Sequence, residues 1–387
     1  MNNIKKSICI SLISISFGLF KKLAFCLNFY KHWSYLEIIV NQIVNGMKIL
    51  IQGIGGIGGI VASNLIANNL NITLITANPK ITQNIKDEGI KYKMPKFDAF
   101  LSVKPKFVYT NLDEIPNGEK FDISIMLMKA THLQDAVNNS ISILTENGFF
   151  VTCQNGIVEE EVVKTIDQMK IVSGVIAWGG TMIEPGTYEK TTPGNTFIGE
   201  LNGELSERIL LLKDIFDLVT PTVVSTNIMG VMWSKLAINS MITSIGAITG
   251  ITLGEMLQEK EIRLFYLKTY SEIVNVANQY NIKLEKISSN PYLFYLDPKT
   301  GKIKQKIKDL MLILVGKKYG SSKSSSLQSL ERGRKTEIEY LNGYVISKAN
   351  ERNISVPYNQ KVYDLVKEIE SGNRTIGLSN INELKIN

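Results

Sequence analysis

The hydrophobic pattern from residue 48 onward starts with a strand, a turn and a helix. The apolar run Lys48–Gln52 predicts a strand, and Gly53–Gly58 follows it as a glycine-rich turn. Apolar residues then recur at helical spacing from Ile57 to Ile66, and Asn71–Thr76 has the pattern of a second strand. This order is that of a βαβ unit, which builds a parallel sheet with a right-handed crossover.

Further apolar runs extend this pattern to residue 199, and long helices follow. The later predicted strands are Lys106–Thr110, Asp122–Met128, Gly148–Thr152, Ile171–Ala177, Thr187–Thr191 and Thr196–Gly199, with a helix at about His132–Leu144. The later predicted helices are Ser206–Leu218, Met229–Thr249, Lys260–Tyr280, Arg334–Glu351 and Gln360–Ser371. Residues 288–326 predict a mobile loop and a short helix around Leu310–Val315. We therefore predict an α/β Rossmann domain over residues 47–204 and an all-α domain over residues 205–387.

The first 46 residues have a different pattern. Lys5 and Lys6 precede the apolar run Ile8–Phe20, an order typical of a signal peptide or a short membrane-associated segment. The run is short for a span, because a membrane-crossing helix needs about 20 apolar residues. We favour Met47 as the true initiator, since the first strand begins directly after it. A membrane is therefore not expected as a partner of the chain, and a peripheral membrane anchor stays open as the alternative.

Composition limits the chemistry that the chain can carry. The net charge is +7, but residues 1–46 supply +4 of it, so the remainder is not expected to bind nucleic acid. The cysteines are Cys9, Cys26 and Cys153, which form no disulfide framework or zinc spacing. His32 and His132 are the only histidines, which disfavours a Ser-His-Asp triad or a metal site. Proton transfer must therefore fall to Lys, Glu, Asp or Tyr.

The glycine turn has the spacing of a dinucleotide-binding fingerprint. Its first glycine permits a tight turn, its second lets the backbone approach a pyrophosphate, and its third allows close packing of helix on strand. The predicted cofactor-binding residues of this turn are Gly53, Ile54, Gly55, Gly56, Ile57 and Gly58. After the second strand, Thr76–Lys80 lacks the acidic residue that holds the ribose of NAD. Lys80 is a candidate for the 2′-phosphate of NADP, or a solvated loop charge.

Several separated motifs carry a resemblance to a known family. They are Met126–Ala130, Gln154–Gly156 with Glu159 or Glu160, Glu184–Gly186, Gly199–Glu200, Trp233–Asn239, Ser325–Gln328 and Thr336–Gly343. In type and order they resemble motifs of the ketopantoate reductases (2-dehydropantoate 2-reductases), and the match runs from Met47 to about Glu370. The resemblance implies a helical second domain like the C-terminal domain of 6-phosphogluconate dehydrogenase. It also implies NADPH-dependent reduction of ketopantoate to pantoate, in cytoplasmic pantothenate and coenzyme A biosynthesis. NAD as cofactor and a homodimer stay open.

The same resemblance implies a set of site residues. They are Lys235 and Glu337 for catalysis, Lys129 and Asn155 beside the cofactor, and Asn239, Thr243 and Ser325 for the substrate. The spacing agrees for two of them, because Lys235 and Asn239 lie four residues apart and share a helix face. A lysine in so apolar a stretch is costly without a partner or a function, unless its ammonium extends to water. Glu337 falls in the predicted helix Arg334–Glu351, where a solvated carboxylate is the ordinary expectation.

The chain also departs from the family pattern. Ala77 stands where the family commonly has arginine, which leaves the choice between NADPH and NADH open. Thr243 and Ser244 replace an Asn-Pro pair, and Ser329 replaces a commonly acidic residue. We therefore keep two alternatives: a paralogous reductase of another 2-oxo acid or ketone, and a non-catalytic dinucleotide-binding sensor.

Overall fold

The computed structural model describes residues 46–93, 99–297, 299–318, 320 and 323–384, so the predicted leader or anchor lies outside the described residues. These residues form two compact units. Unit 1 comprises the described residues up to Met128, together with Asn139–Thr152 and Gln168–Thr226. Unit 2 comprises Lys129–Asn138, Cys153–Asp167 and the described residues from Asn227 onward. This grouping divides the chain differently from a single boundary after residue 204, because two short segments between strands of unit 1 group with unit 2 and residues 205–226 group with unit 1.

The strands lie in unit 1. They are β1 (Lys48–Gln52), β2 (Asn71–Ile75), β3 (Ile90–Lys93), β4 (Phe100–Val103), β5 (Phe107–Tyr109), β6 (Phe121–Met126), β7 (Leu144–Thr152), β8 (Ile171–Ile176), β9 (Gly179–Glu184), β10 (Thr187–Thr192), β11 (Thr196–Gly199) and β12 (Thr222–Val224). The main sheet has the order β12-β11-β8-β7-β6-β1-β2-β5. Its six strands from β8 to β5 are all parallel, which is the Rossmann arrangement.

The helices are distributed over both units. They are α1 (Gly56–Ala67), α2 (Pro79–Glu88), α3 (Leu133–Ser140), α4 (Glu159–Val162), α5 (Glu207–Asp217), α6 (Ile228–Thr249), α7 (Leu253–Met256), α8 (Lys260–Gln279), α9 (Lys302–Lys318), α10 (Ser325–Glu331), α11 (Asn342–Glu351) and α12 (Pro357–Glu370). A second sheet of order β4-β3-β10-β9 packs on α1. The predicted fold class, a Rossmann domain followed by a helical domain, is confirmed.

The long helix α6 is the centre of unit 2. Asn227 begins it by accepting a hydrogen bond from the Gly230 amide at 3.2 Å, and Gly250 ends it in the left-handed conformation. Helices α8, α10 and α12 pack against it. Trp233 is fully buried and meets the ring of Tyr344 edge to face, with ring centroids 5.7 Å apart. Because most of α6 is covered in this way, its sequence is apolar on nearly every side.

A buried chain of hydrogen bonds joins α6 to three other helices of unit 2. The Ser244 hydroxyl donates to Asn342 at 2.8 Å, and the Asn342 amide donates to Asn359 at 3.0 Å. Asn359 in turn donates to the carboxylate of Glu272 at 2.8 Å. Burial raises the pKa of Glu272, although hydrogen bonds from Tyr358 and Asn359 oppose the rise. The network satisfies polar groups that would otherwise be costly inside the unit.

Among the described residues, α6 is also the one helix long and apolar enough to span a membrane. Of its most apolar stretch, 67% is buried within the protein. A buried core helix of a soluble protein can have the same length and apolar composition. The length and composition of α6 are therefore weak evidence that it spans a membrane.

Two predicted elements are wrong in extent. The predicted helix Arg334–Glu351 begins only at Asn342, because Thr336 is held outside a helix by hydrogen bonds of 2.7 Å from its amide and hydroxyl to Glu370. Glu337 therefore precedes a short 3₁₀ turn and does not lie in an amphipathic helix. The predicted short helix around Leu310–Val315 is 17 residues long. The strands missing from the prediction are β3, β4, β9 and β12.

Candidate active site

The glycine turn after β1 has the close contacts that its spacing predicts. Gly53 has a φ of +95°, and a Cβ atom there would lie 2.3 Å from the amide nitrogen of Met128. A Cβ at Gly58 would lie 1.9 Å from the carbonyl oxygen of Gly53. At Gly55, by contrast, a Cβ would meet nothing within 4 Å. Gly53 and Gly58 are therefore needed for packing, and the space beside Gly55 is open to a phosphate group.

The N-terminus of α1 provides the positive end of a helix dipole at this turn. No side chain caps it, and its first turn contains no acidic residue. Ile54 is buried, and its carbonyl accepts a hydrogen bond from the Tyr188 hydroxyl at 3.1 Å. Gly56 lies so close to β9 that a Cβ would be 2.4 Å from the Gly180 carbonyl oxygen. Ile57 is only partly buried. The turn thus presents backbone N–H groups suited to a pyrophosphate at an uncapped helix end.

The loop after β2 is shaped by an asparagine cap. Ala77 adopts a positive φ of 51°, and the Asn78 side-chain oxygen accepts hydrogen bonds from the amides of Lys80 at 3.0 Å and Ile81 at 3.4 Å. This oxygen is therefore occupied in starting α2. Lys80 is exposed and remains the basic side chain of the loop.

Lys235 lies on α6 in unit 2. Its side chain is partly buried, and burial lowers the pKa of its ammonium group to about 8, while Glu337 and Cys153 act in the opposite direction. Within the described part of the chain, no hydrogen bond or ion pair engages its Nζ atom. An ammonium with this pKa is a competent acid close to neutral pH.

A line of hydrogen bonds fixes the groups around Lys235. Glu337 accepts one from the Ala130 amide at 3.1 Å through Oε1 and one from the Asn155 side chain at 3.4 Å through Oε2. Asn155 accepts at its Oδ1 from the Asn239 amide group at 3.2 Å. The structure therefore brings four of the predicted site residues together in unit 2.

The Asn155 side chain is positioned by the turn that follows it. Gly156 has a φ of +89°, and a Cβ there would lie 2.2 Å from the carbonyl oxygen of Tyr340. Only glycine permits this approach of the turn to the segment after Glu337. The Gln-Asn-Gly sequence is thus explained by packing in unit 2 as well as by the chemistry of its asparagine.

Lys129 borders the same group of residues. Its ammonium donates to the Ser329 hydroxyl at 2.8 Å and to the Lys335 carbonyl at 3.3 Å. Burial lowers its pKa most strongly, whereas Glu337 opposes that effect and Arg334 adds to it. Lys129 is held by a serine where the family pattern commonly has an acidic residue.

In the part of the chain that the structure describes, the side chains of the predicted substrate residues Thr243 and Ser325 do not join the hydrogen bonds among the side chains of Asn155, Asn239 and Glu337. The Thr243 hydroxyl donates to the Asn239 carbonyl at 2.7 Å, so it serves its own helix. Ser325 is the first residue of α10 and is exposed, while the neighbouring Ser324 caps that helix. The Ser325 carbonyl accepts a hydrogen bond from Ser329 at 2.9 Å, so among the described residues Ser325 is joined to Lys129 only through Ser329 and has no direct hydrogen bond to Lys235.

Sequence reasoning missed Cys153 as a neighbour of the site. Its thiol is buried, which raises its pKa to about 12, while Lys235 opposes the rise. A single cysteine outside any motif carries no signal, although its position directly before Gln154 could have indicated it. Among the described residues, no group of His, Cys, Asp and Glu could hold a metal ion.

The glycine turn of unit 1 and the lysine-centred cluster of unit 2 define a Rossmann-type dinucleotide-binding protein with a helical second unit. Two sequence profiles match the chain, Ketopantoate reductase PanE/ApbA over residues 49–203 and Ketopantoate reductase PanE/ApbA C terminal over residues 227–370. The chain therefore belongs to the ketopantoate reductase family.

Individual relatives agree with this assignment. The 2-dehydropantoate 2-reductase of Pyrococcus horikoshii is 28% identical over 84% of this chain and 98% of its own length. Among solved structures, D-mandelate dehydrogenase with NADH and anilino(oxo)acetate has a TM-score of 0.72 and 19% identity, over 84% of this chain and 99% of that one. A PanE/ApbA family ketopantoate reductase from Ralstonia eutropha JMP134 has a TM-score of 0.70 and 22% identity, over the same shares. These structures establish a shared fold.

Proposed function

We propose that this protein reduces the 2-oxo group of ketopantoate to the hydroxyl of pantoate in the cytoplasm. The reductant is a nicotinamide dinucleotide, with NADPH preferred to NADH. The observation that carries the proposal is the partly buried Lys235, because burial lowers the pKa of its ammonium group to about 8 while the Glu337 carboxylate opposes that shift. The relative from Pyrococcus horikoshii supports the choice of substrate. The glycine turn fits the cofactor, because the space beside Gly55 is open and the helix N-terminus is uncapped.

In this proposal, different residues bind the cofactor and transfer the proton. Gly53–Gly58 would hold the pyrophosphate, with Lys129 and Asn155 beside the nicotinamide end. The reduced nicotinamide, when bound, supplies the hydride that adds to C2 of the substrate. Lys235 polarises the C2 carbonyl and then gives its proton to the new alkoxide oxygen, which leaves a neutral amine and a 2-hydroxy acid.

Glu337 is a positioning residue in this scheme. Its carboxylate favours the ammonium form of Lys235 and holds the Asn155 side chain through a hydrogen bond. Asn239 and Ser325 would bind the substrate by hydrogen bonds. Thr243 would contribute its methyl group, because its hydroxyl is turned to the Asn239 carbonyl.

That orientation of Thr243 supports a second candidate function, reduction of a different 2-oxo acid or ketone. A methyl group offers no hydrogen bond to a polar substrate, so an apolar substituent would suit this position better. The similarity in fold to a D-mandelate dehydrogenase is compatible with this alternative.

The deciding test is cofactor oxidation by the full chain with ketopantoate and a panel of 2-oxo acids that bear apolar or aromatic substituents. We expect the highest kcat/KM with ketopantoate. Turnover of an apolar 2-oxo acid alone would establish the second candidate. Tight dinucleotide binding without turnover on any compound would instead indicate a sensor.

Cofactor choice is tested separately at Lys80. Replacing it with Ala should raise KM for NADPH by about tenfold or more and leave KM for NADH unchanged, since an ammonium–phosphate contact is lost. The matched control is Lys86→Ala, which removes an exposed lysine from the last turn of α2. Equal effects on both cofactors would contradict a 2′-phosphate contact.

A further inference from the structure

Helix α9 exposes an apolar stripe that nothing in the proposed function requires. The exposed fractions are 78% for Ile303, 52% for Ile307, 60% for Leu310 and 64% for Leu314. Their spacing of four, three and four residues places them on one side of the helix. Together they expose roughly 500 Å² of apolar surface, near the upper limit of what monomeric proteins show in one patch. We refer to these four residues as the α9 stripe.

The opposite side of α9 holds the helix in this orientation. Leu312 and Gly316 are buried there, in the face that packs on α7 and α8. Asp309 forms an ion pair with Arg263 at 2.6 Å, and the Lys308 ammonium donates to the Leu293 carbonyl at 2.5 Å. The only acidic residue of α9 is therefore used inside the unit, and the stripe cannot turn inward without breaking these contacts.

Lysines border the stripe on both sides. At about 100° per residue, Lys306 and Lys317 fall on one border, and Lys304 and Lys318 on the other. Over residues 302–318 the sequence contains six lysines against one aspartate. Lysine stems can lie along an apolar surface while their ammonium groups point away to an anionic layer.

We propose that the α9 stripe docks on the surface of an anionic lipid bilayer, with the four side chains in the acyl boundary and the bordering lysines at the headgroups. An aliphatic stripe between two rows of lysine is the arrangement of interfacial amphipathic helices, and anionic headgroups complement its charge. The dinucleotide turn and the Lys235 cluster are not part of this surface, so docking would bring the reductase to a membrane without using its active site.

A second copy of the chain fits the stripe less well. A twofold contact places the same surface on both sides, so the bordering lysines would face one another without acidic partners on α9. Two stripes would also bury only about 1,000 Å² in total, less than the 1,200–2,000 Å² of a standard stable interface. Charge and area therefore both favour the lipid surface.

The test is flotation of the full chain with vesicles of phosphatidylcholine, alone or with roughly one-third phosphatidylserine. We expect binding to the anionic vesicles only, and weaker binding at high salt. The double variant Ile307→Ser with Leu310→Ser should lower the partition coefficient by more than about tenfold, because two aliphatic groups no longer enter the bilayer. Lys304→Gln with Lys306→Gln should weaken binding and reduce its dependence on salt.

The matched control is Leu205→Ser, since Leu205 is 63% exposed but lies outside α9. The Leu205→Ser variant should bind vesicles like the parent chain. Residues 1–45 are present in every variant, so any membrane binding by that segment cannot cause a difference between variants. Unchanged thermal unfolding and turnover would show that the α9 variants fold. The proposal is overturned if the parent chain does not float, if the serine variants float equally well, or if they instead convert a dimer into a monomer.

Discussion

Replacing Lys235 with Met tests both the proposed chemistry and the electrostatics of unit 2. Methionine keeps the apolar stem and removes the ammonium group. If Lys235 is the proton donor, turnover should fall by about 10² to 10⁴. That loss corresponds to about 3–5 kcal/mol of transition-state stabilisation. Dinucleotide binding should stay unchanged, because no residue of the glycine turn is altered.

The same substitution should increase stability at neutral pH. The pKa of Lys235 is lowered from 10.5 to about 8, so below pH 8 the folded chain carries the full cost of a desolvated ammonium, about 3 kcal/mol. Between pH 8 and 10.5 the unfolded chain binds more protons than the folded one, so the stability of the parent chain rises with pH. The Met variant should therefore be more stable than the parent by up to about 3 kcal/mol at pH 7, and the two should converge near pH 10.5.

The assay is urea unfolding of both proteins at intervals from pH 7 to 10.5, beside steady-state turnover. Lys86→Met is the control, since it removes an exposed lysine of α2 in unit 1 and leaves the groups around Lys235 unchanged. Turnover within a few-fold of the parent would refute the role of Lys235 as proton donor. A Met variant that is less stable than the parent at pH 7 would refute the claim that burial dominates its pKa.

Two further substitutions probe the groups around this lysine and the glycine turn. Glu337→Gln removes a charge that raises the pKa of Lys235. The alkaline limb of the profile of kcat/KM against pH should therefore move to lower pH by on the order of one unit. Glu339→Gln, at an exposed neighbouring residue, is the control and should not move that limb. An unshifted limb in the Glu337 variant would exclude the electrostatic link. Gly53→Ala should destabilise the fold by about 2–4 kcal/mol in thermal unfolding, because its φ is +95° and its Cβ would meet backbone at 2.3 Å. Gly55→Ala should leave the melting temperature unchanged but weaken dinucleotide binding measured by calorimetry, and an unaffected affinity would show that the pyrophosphate does not approach there.

Local signals in the sequence were sufficient for much of unit 1. The central strands β1 and β2 are continuous apolar runs because both faces of a parallel sheet are covered. Strands β3 and β4 are short, and their surroundings are rich in lysine, so no period of two stands out. Strand β3 also pairs with β10, which lies far along the chain, and a local pattern does not contain that pairing.

The candidate site was predictable only where residues share one element. Lys235 and Asn239 share α6, and their spacing alone places them on one face. The motif resemblance implied separate roles for Asn155 and Glu337, but the hydrogen bond that joins them spans 182 positions and was not predicted. The role of Ser329 in holding Lys129 was not predictable, because a serine there differs from the family pattern and its hydrogen bond spans 200 positions.

The two short segments that group with the helical unit have a consequence for how the protein can be made and altered. During synthesis, two segments of unit 2 leave the ribosome long before α6, the central helix of that unit. They are Lys129–Asn138 and Cys153–Asp167. A nascent chain that ends before Asn227 therefore contains Lys129 and Asn155 without the helices that position them. Exchanging the nucleotide-binding half between homologues as a single cassette would separate Asn155 from its native partners Glu337 and Asn239. Grafts that respect the discontinuous unit, and carry these two segments together with the helices, should preserve the site.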